Sequence, residues 1–139
     1  ESDKWRSQCD KTLKTLIRTV ECKKLCVETL SYDFSRIWPV VKQNDCAVCI
    51  DIGHLILNGY SVLQYLENWL AHARVLHLHG VNPEGRDHVD LRHFDGRLLM
   101  MILDRLKQQN HTPRVLTLEI FSEKDLEMSL AVLEKAVTA

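Results

Sequence analysis

Apolar positions along this chain recur at two spacings, and the alternation between them predicts the architecture. Residues 5–20 carry Trp5, Leu13, Leu16, Ile17 and Val20 close to a 3.6-residue period, which predicts a helix. The run "KLCVETL" (24–30) is short, apolar and bounded by charge, a strand. "DFSRIWPVVKQN" (33–44) opens on Asp33, a helix-cap residue, and predicts a helix interrupted near Pro39. "CAVCID" (46–51) reads as a strand, followed by a loop through Asn58-Gly59. "SVLQYLENWLAHA" (61–73) has a Ser cap and apolar positions 62, 63, 66, 69 and 70, an amphipathic helix.

"RVLHLHG" (74–80) is again a strand, and the polar loop "VNPEGRDHVD" follows it. A long helix is predicted within 91–110, most clearly from about residue 94. "RVLTLEI" (114–120) is a fourth strand, and 122–137 is a helix opened by Ser122-x-x-Asp125, a relative of the capping box. Strands alternating with helices predict an α/β fold with a parallel sheet. Two architectures satisfy that order: a small doubly wound sheet, or four strands and their helices forming half of a (β/α)8 TIM barrel. A whole barrel takes about 250 residues, so a 139-residue chain has the mass for half of one.

Composition narrows the function more than the fold. The chain is 45% apolar and 27% charged, which is ordinary for a globular domain. A net charge of -1 argues against a nucleic-acid partner or an anionic membrane. No stretch approaches the roughly 18 apolar residues of a membrane span and no signal peptide is visible, so a cytoplasmic location is expected. The five cysteines form an odd set. Cys46 and Cys49 have CxxC spacing, but three positions apart on a strand they face opposite ways, so buried reduced thiols are expected rather than a metal or redox pair. Glu1 stands where an initiator methionine would, which points to a piece of a longer chain.

The chemistry is concentrated where strands end. Their carboxyl ends read Val27-Glu28-Thr29, Ile50-Asp51-Ile52-Gly53-His54, Leu76-His77-Leu78-His79-Gly80 and Leu118-Glu119-Ile120. In parallel α/β folds ligands bind at that edge. Each residue alone has a plainer reading. Glu28 could pair with Lys24 or Arg114, Asp51 could cap a turn, and His54 could sit at a helix entrance. His77 or His79 could be a core histidine satisfied by a carbonyl. Together, carboxylate oxygens and imidazole nitrogens on one rim predict a divalent-metal site for Zn, Mn, Fe or Co. The loop after the third strand adds Arg86, Asp87, His88 and Asp90. Arg86 is suited to a phosphate or carboxylate, and Asp87 with His88 to a second metal position. His72, His93 and His111 are expected on the surface.

The stretches "VETL", "IDIGH", "HLHG" and "LEIF", in that order, resemble the second half of the xylose-isomerase-like TIM barrels. That superfamily also holds endonuclease IV and the sugar-phosphate isomerases and epimerases. The resemblance, which runs from about residue 13, implies strands five to eight of such a barrel, with 1–139 as one domain and the first half absent. It also implies metal ligation by Glu28, Asp51, His54, His77 and Glu119. "CVETLSYDF", "VCIDIGHLILNGYSV", "LHLHGVNPEGRDHVDL" and "VLTLEIFSEKDLEMSL" are similar, more narrowly, to the cobamide-remodelling phosphodiesterases. Endonuclease IV has an Asp-x-His pair after the strand-end His, whereas here Asp87 and His88 are adjacent.

Two activities follow as expectations. In a metal-dependent phosphodiesterase, His79, Arg86 or His88 would contact the phosphoryl oxygens or protonate the leaving oxygen. In a sugar or sugar-phosphate isomerase or epimerase, Glu28 and Glu119 would be bases as well as ligands. The expected partner is a small phosphoester or sugar. A half-barrel also leaves two open sheet edges, so a catalytically incomplete homodimer is a third expectation.

Overall fold

The computed structural model describes residues 2–109 and 111–138. Four strands, β1 (Cys26–Glu28), β2 (Ala47–Asp51), β3 (Ala73–Leu78) and β4 (Val115–Leu118), form one sheet in the order β1-β2-β3-β4. Every neighbouring pair is parallel. A doubly wound sheet reverses its strand order at a switch point. This one never does, and it has the singly wound order of half a (β/α)8 barrel. Among the described residues β1 and β4 are unpaired on their outer sides.

Helix α1 (Ser2–Leu16) precedes β1, helices α2 (Trp38–Gln43), α3 (Ile52–Leu57), α4 (Val62–Trp69) and α5 (Gly96–Gln108) lie between successive strands, and α6 (Glu123–Thr138) follows β4. Several depart from the sequence reading. α1 stops at Leu16 and residues 17–19 form turns, where β-branched Ile17 and Thr19 favour helix least. Pro39 does not interrupt a helix. It lies in the first turn of α2, where its missing N–H costs nothing. Asp33 instead caps a separate 3-10 turn over Phe34–Arg36, accepting from the Ser35 N–H.

The expected loop after β2 is helix α3, because Asp51 accepts from the His54 N–H at 2.8 Å and starts a helix at once. α4 runs into a 3-10 turn over Leu70–His72. Asp95 caps α5 through the Arg97 and Leu98 N–H groups. The predicted end of that helix, Asn110, lies outside the described residues, as do residues 1 and 139.

Alternation along the strands separates two faces. Val48, Ile50, Leu76 and Leu78 are fully buried and turn toward the helices, where Phe34, Val41, Leu55, Leu66, Leu70, Leu99 and Ile102 complete the core. Each such side chain contributes about 1.5–3 kcal/mol when fully buried. The other face carries Glu28, Cys49, Asp51 and His77, in register as Glu28↔Cys49 and Asp51↔His77. On the same face Val115 is 60% exposed. This open side is the one that would face a barrel interior. All five thiols are free, with Cys46 and Cys49 buried. Burial pushes the Cys49 thiol far up from its ordinary value, with the Glu28 and Asp51 charges adding to the effect.

Candidate metal centre

Asp51, the last residue of β2, has no exposed surface and organises the strand-end rim. Its backbone is held from the residue that follows β1, since the Asp51 N–H donates to buried Thr29 Oγ1 at 2.9 Å. Its carboxylate then faces three histidines. Oδ2 lies 3.0 Å from His54 Nδ1 and 3.5 Å from His77 Nδ1, and Oδ1 lies 3.2 Å from His79 Nε2. Burial works to raise this carboxyl's pKa, but His79 and the His54 N–H outweigh it and bring it down to about 2.

Around Asp51 the polar side chains form two groups. In the first, three carboxylates crowd one imidazole nitrogen. His77 Nδ1 is 3.0 Å from Glu28 Oε1, 3.3 Å from Glu119 Oε2 and 3.5 Å from Asp51 Oδ2. One N–H can satisfy one of these oxygens, and the others repel each other at short range. Burial accordingly raises the Glu28 pKa; the nearby imidazole opposes this, and the Asp51 and Glu119 charges reinforce it. One donor atom from each of Glu28, Asp51, His77 and Glu119 falls within 4.8 Å of the others.

The second group is His54, His79 and His88, whose donor nitrogens also lie within 4.8 Å of one another. His88 Nδ1 is 3.1 Å from Asp87 Oδ1, and His54 Nε2 is 3.5 Å from Asp87 Oδ2. His88 lowers the Asp87 pKa by that contact. Glu119 Oε2 lies 3.6 Å from His88 Nε2, so Glu119, like Asp51, reaches both groups.

The loop places His88 by a strained route. Gly80 and Val89 form an isolated antiparallel bridge that pins the loop's base. The Asn82 side chain accepts from the Arg86 N–H, and Gly85 takes φ 79° within the turn. His88 itself has φ 54°, a conformation that costs a non-glycine residue about 1–3 kcal/mol. The result is a ring stacked on His79 at 4.2 Å and 7°, with the His88 N–H donating to His79 Nδ1 at 3.1 Å. His79 Nδ1 also lies 3.2 Å from the Gly80 carbonyl oxygen, and Nε2 faces Asp51 Oδ1. Burial pulls the His79 pKa down, while the Asp51 carboxylate raises it and prevails.

The donor set fits a divalent cation. Asp51 Oδ2, His54 Nδ1 and His79 Nε2 are buried without a hydrogen-bond partner, although each is close to an opposite group. Such orphaned atoms are costly in a protein interior unless something else satisfies them. Mixed imidazole and carboxylate donors of this kind suit Zn²⁺, Mn²⁺, Fe²⁺ or Co²⁺.

The residues singled out from sequence fall in three places. Glu28, Asp51, His77 and Glu119 form the first group, and His54, Asp87 and His88 stand around the second. His79 is fully buried between Asp51 and His88, so it meets other side chains rather than an incoming phosphate. Arg86 is exposed and lines a rim cavity with Asp87, His88, Phe121, Ser122 and Asp125. Neither plain reading for Glu28 describes it: Lys24 pairs with Glu21, and Arg114 donates to the Gln109, Thr112 and Leu70 carbonyls. Sequence reading missed Thr29, Gly53 and Phe121. Gly53 alone left a signal, as a glycine between the aspartate and histidine of "DIGH". A scan against protein-family models and searches of curated proteins and of solved structures return no match.

Proposed function

We propose that the protein is a divalent-metal-dependent phosphodiesterase. The observation that carries this reading is the convergence of three carboxylates on His77 Nδ1, beside a histidine trio that shares Asp51 and Glu119 with it. Glu28, Asp51, His77 and Glu119 would hold a divalent ion. When bound, such ions supply Lewis acidity, lowering the pKa of water and offsetting charge on phosphoryl oxygens.

The chain's own groups do the rest. Buried Asp51 fixes the orientation of His54, His77 and His79. His88, at the loop end of the His79 stack, is the partly exposed imidazole suited to protonating a leaving oxygen. Arg86 offers a fork of N–H donors to a phosphate oxygen on the rim. The phosphodiester of a cobamide nucleotide loop is the substrate that the sequence resemblance selects.

Cleavage of bis(p-nitrophenyl) phosphate and of cobamides, followed with and without chelation, tests the reading. Activity should vanish with EDTA, return with Mn²⁺ or Zn²⁺, and be absent in Asp51→Ala at any metal concentration. Full activity after chelation would overturn it.

One observation favours a second reading, a sugar or sugar-phosphate isomerase or epimerase. Glu28 and Glu119 approach the same His77 nitrogen, at 3.0 and 3.3 Å, as two bases flanking one carbon would. Solvent deuterium appearing in a sugar phosphate, with no ester cleaved, would select it.

A further inference from the structure

Phe121 lies just past Glu119 at the rim and is 80% exposed. It is nevertheless held in place. One face of its ring stacks on His88 at 4.9 Å and 19°, and His88 stacks in turn on His79 at 4.2 Å and 7°. The stack is anchored where His79 Nε2 meets Asp51 Oδ1 at 3.2 Å. A phenylalanine in water gains nothing from exposure, and this one presents a flat apolar surface at the edge of the candidate metal centre.

The cavity beside it has a volume of about 310 Å³ and is lined by Arg86, Asp87, His88, Phe121, Ser122 and Asp125. That is within the range of small-ligand sites, which combine an apolar or aromatic surface with a few polar groups. Here the polar groups are of opposite kinds. Arg86 donates to anionic oxygens, while Asp125 accepts from N–H groups.

We infer that this cavity takes a planar heteroaromatic group of the substrate, stacked on Phe121, with Asp125 accepting from its N–H donors and Arg86 on a phosphate oxygen. The inference rests on the phosphoester reading and narrows it: the preferred esters carry a nucleobase or a similar flat heterocycle. Stacking is indifferent to which heterocycle is present, because each has a π-face. Selectivity among them falls to Asp125 and Ser122.

Calorimetric titration of the Mn²⁺-loaded protein with adenosine 5′-monophosphate and with ribose 5-phosphate separates the base from the phosphate. Wild type should bind the nucleotide about tenfold more tightly than the sugar phosphate, the size of one base–aromatic stack. Phe121→Ala should bring the two to near parity by weakening the nucleotide alone, and Phe121→Trp should keep the preference. Equal binding in wild type, equal weakening of both ligands in Phe121→Ala, or binding of neither would overturn the inference. A nucleotide preference in a protein that cleaves no phosphodiester would remove the phosphodiesterase reading and leave the stacking site supported.

Discussion

Gly53 and the ring of His79 are in such close contact that a Cβ on Gly53 would lie 2.1 Å from His79 Cε1. The backbone of α3 thus passes over the imidazole with room for a hydrogen and nothing larger. Gly53→Ala should move His79 off Asp51, cost about 1–3 kcal/mol as an overpacked core position does, and weaken divalent-cation binding. Chemical denaturation and metal titration of the variant check both effects. An unchanged metal affinity would separate His79 from the site.

Thr29 holds Asp51 by accepting its N–H at 2.9 Å in a fully buried position. Thr29→Val keeps the shape and leaves that N–H unsatisfied, a loss of about 1–3 kcal/mol. Urea unfolding reads the stability. The variant's metal affinity should fall as well, because the carboxylate is aimed by the backbone that Thr29 fixes.

Cation binding should stabilise the fold, since three carboxylates lie around one imidazole nitrogen. At a metal concentration 100 times the dissociation constant the gain is about 2.7 kcal/mol. Thermal melting with Mn²⁺ or Zn²⁺ should show it, and EDTA should abolish it. Glu28→Gln or Glu119→Gln should raise the melting temperature of the metal-free protein, by relieving repulsion, while shrinking the metal-dependent gain.

Away from the site, Asp90 is buried and receives Arg92 through two bonds, at 2.8 and 3.0 Å. That contact lowers its carboxyl from 3.8 to about 2. A carboxylate whose folded pKa is depressed stabilises the fold above its unfolded pKa and loses that contribution as pH falls through the folded value. Stability should therefore decline between about pH 4 and pH 2. Asp90→Asn should be less stable near neutrality and lose less over that interval, as equilibrium unfolding at a series of pH values would show.

The alternation of strand and helix was legible in the sequence because burial dictates it locally. A strand such as 47–51, buried along its whole length, is apolar up to the aspartate that closes it, and an amphipathic helix such as α4 must repeat near 3.6 residues. The strand-end carboxylates and histidines were legible for a related reason: an ionisable group closing an apolar strand is costly unless it has a purpose. Boundaries were less so. A cap such as Asp51 begins α3 within the run that reads as strand and loop, and Pro39 begins a helix rather than breaking one.

The choice between a doubly wound sheet and half a barrel belongs to the tertiary structure, because strand order is a property of long-range pairing that periodicity does not encode. So does the division of the rim. Alternation along a strand places Asp51 and His77 on one face, but only the register Asp51↔His77 and the strained turn at His88 bring the histidines and carboxylates into two groups sharing Asp51 and Glu119. Gly53, Thr29 and Phe121 owe their roles to contacts with residues distant in the chain, and no local pattern marks such contacts in advance.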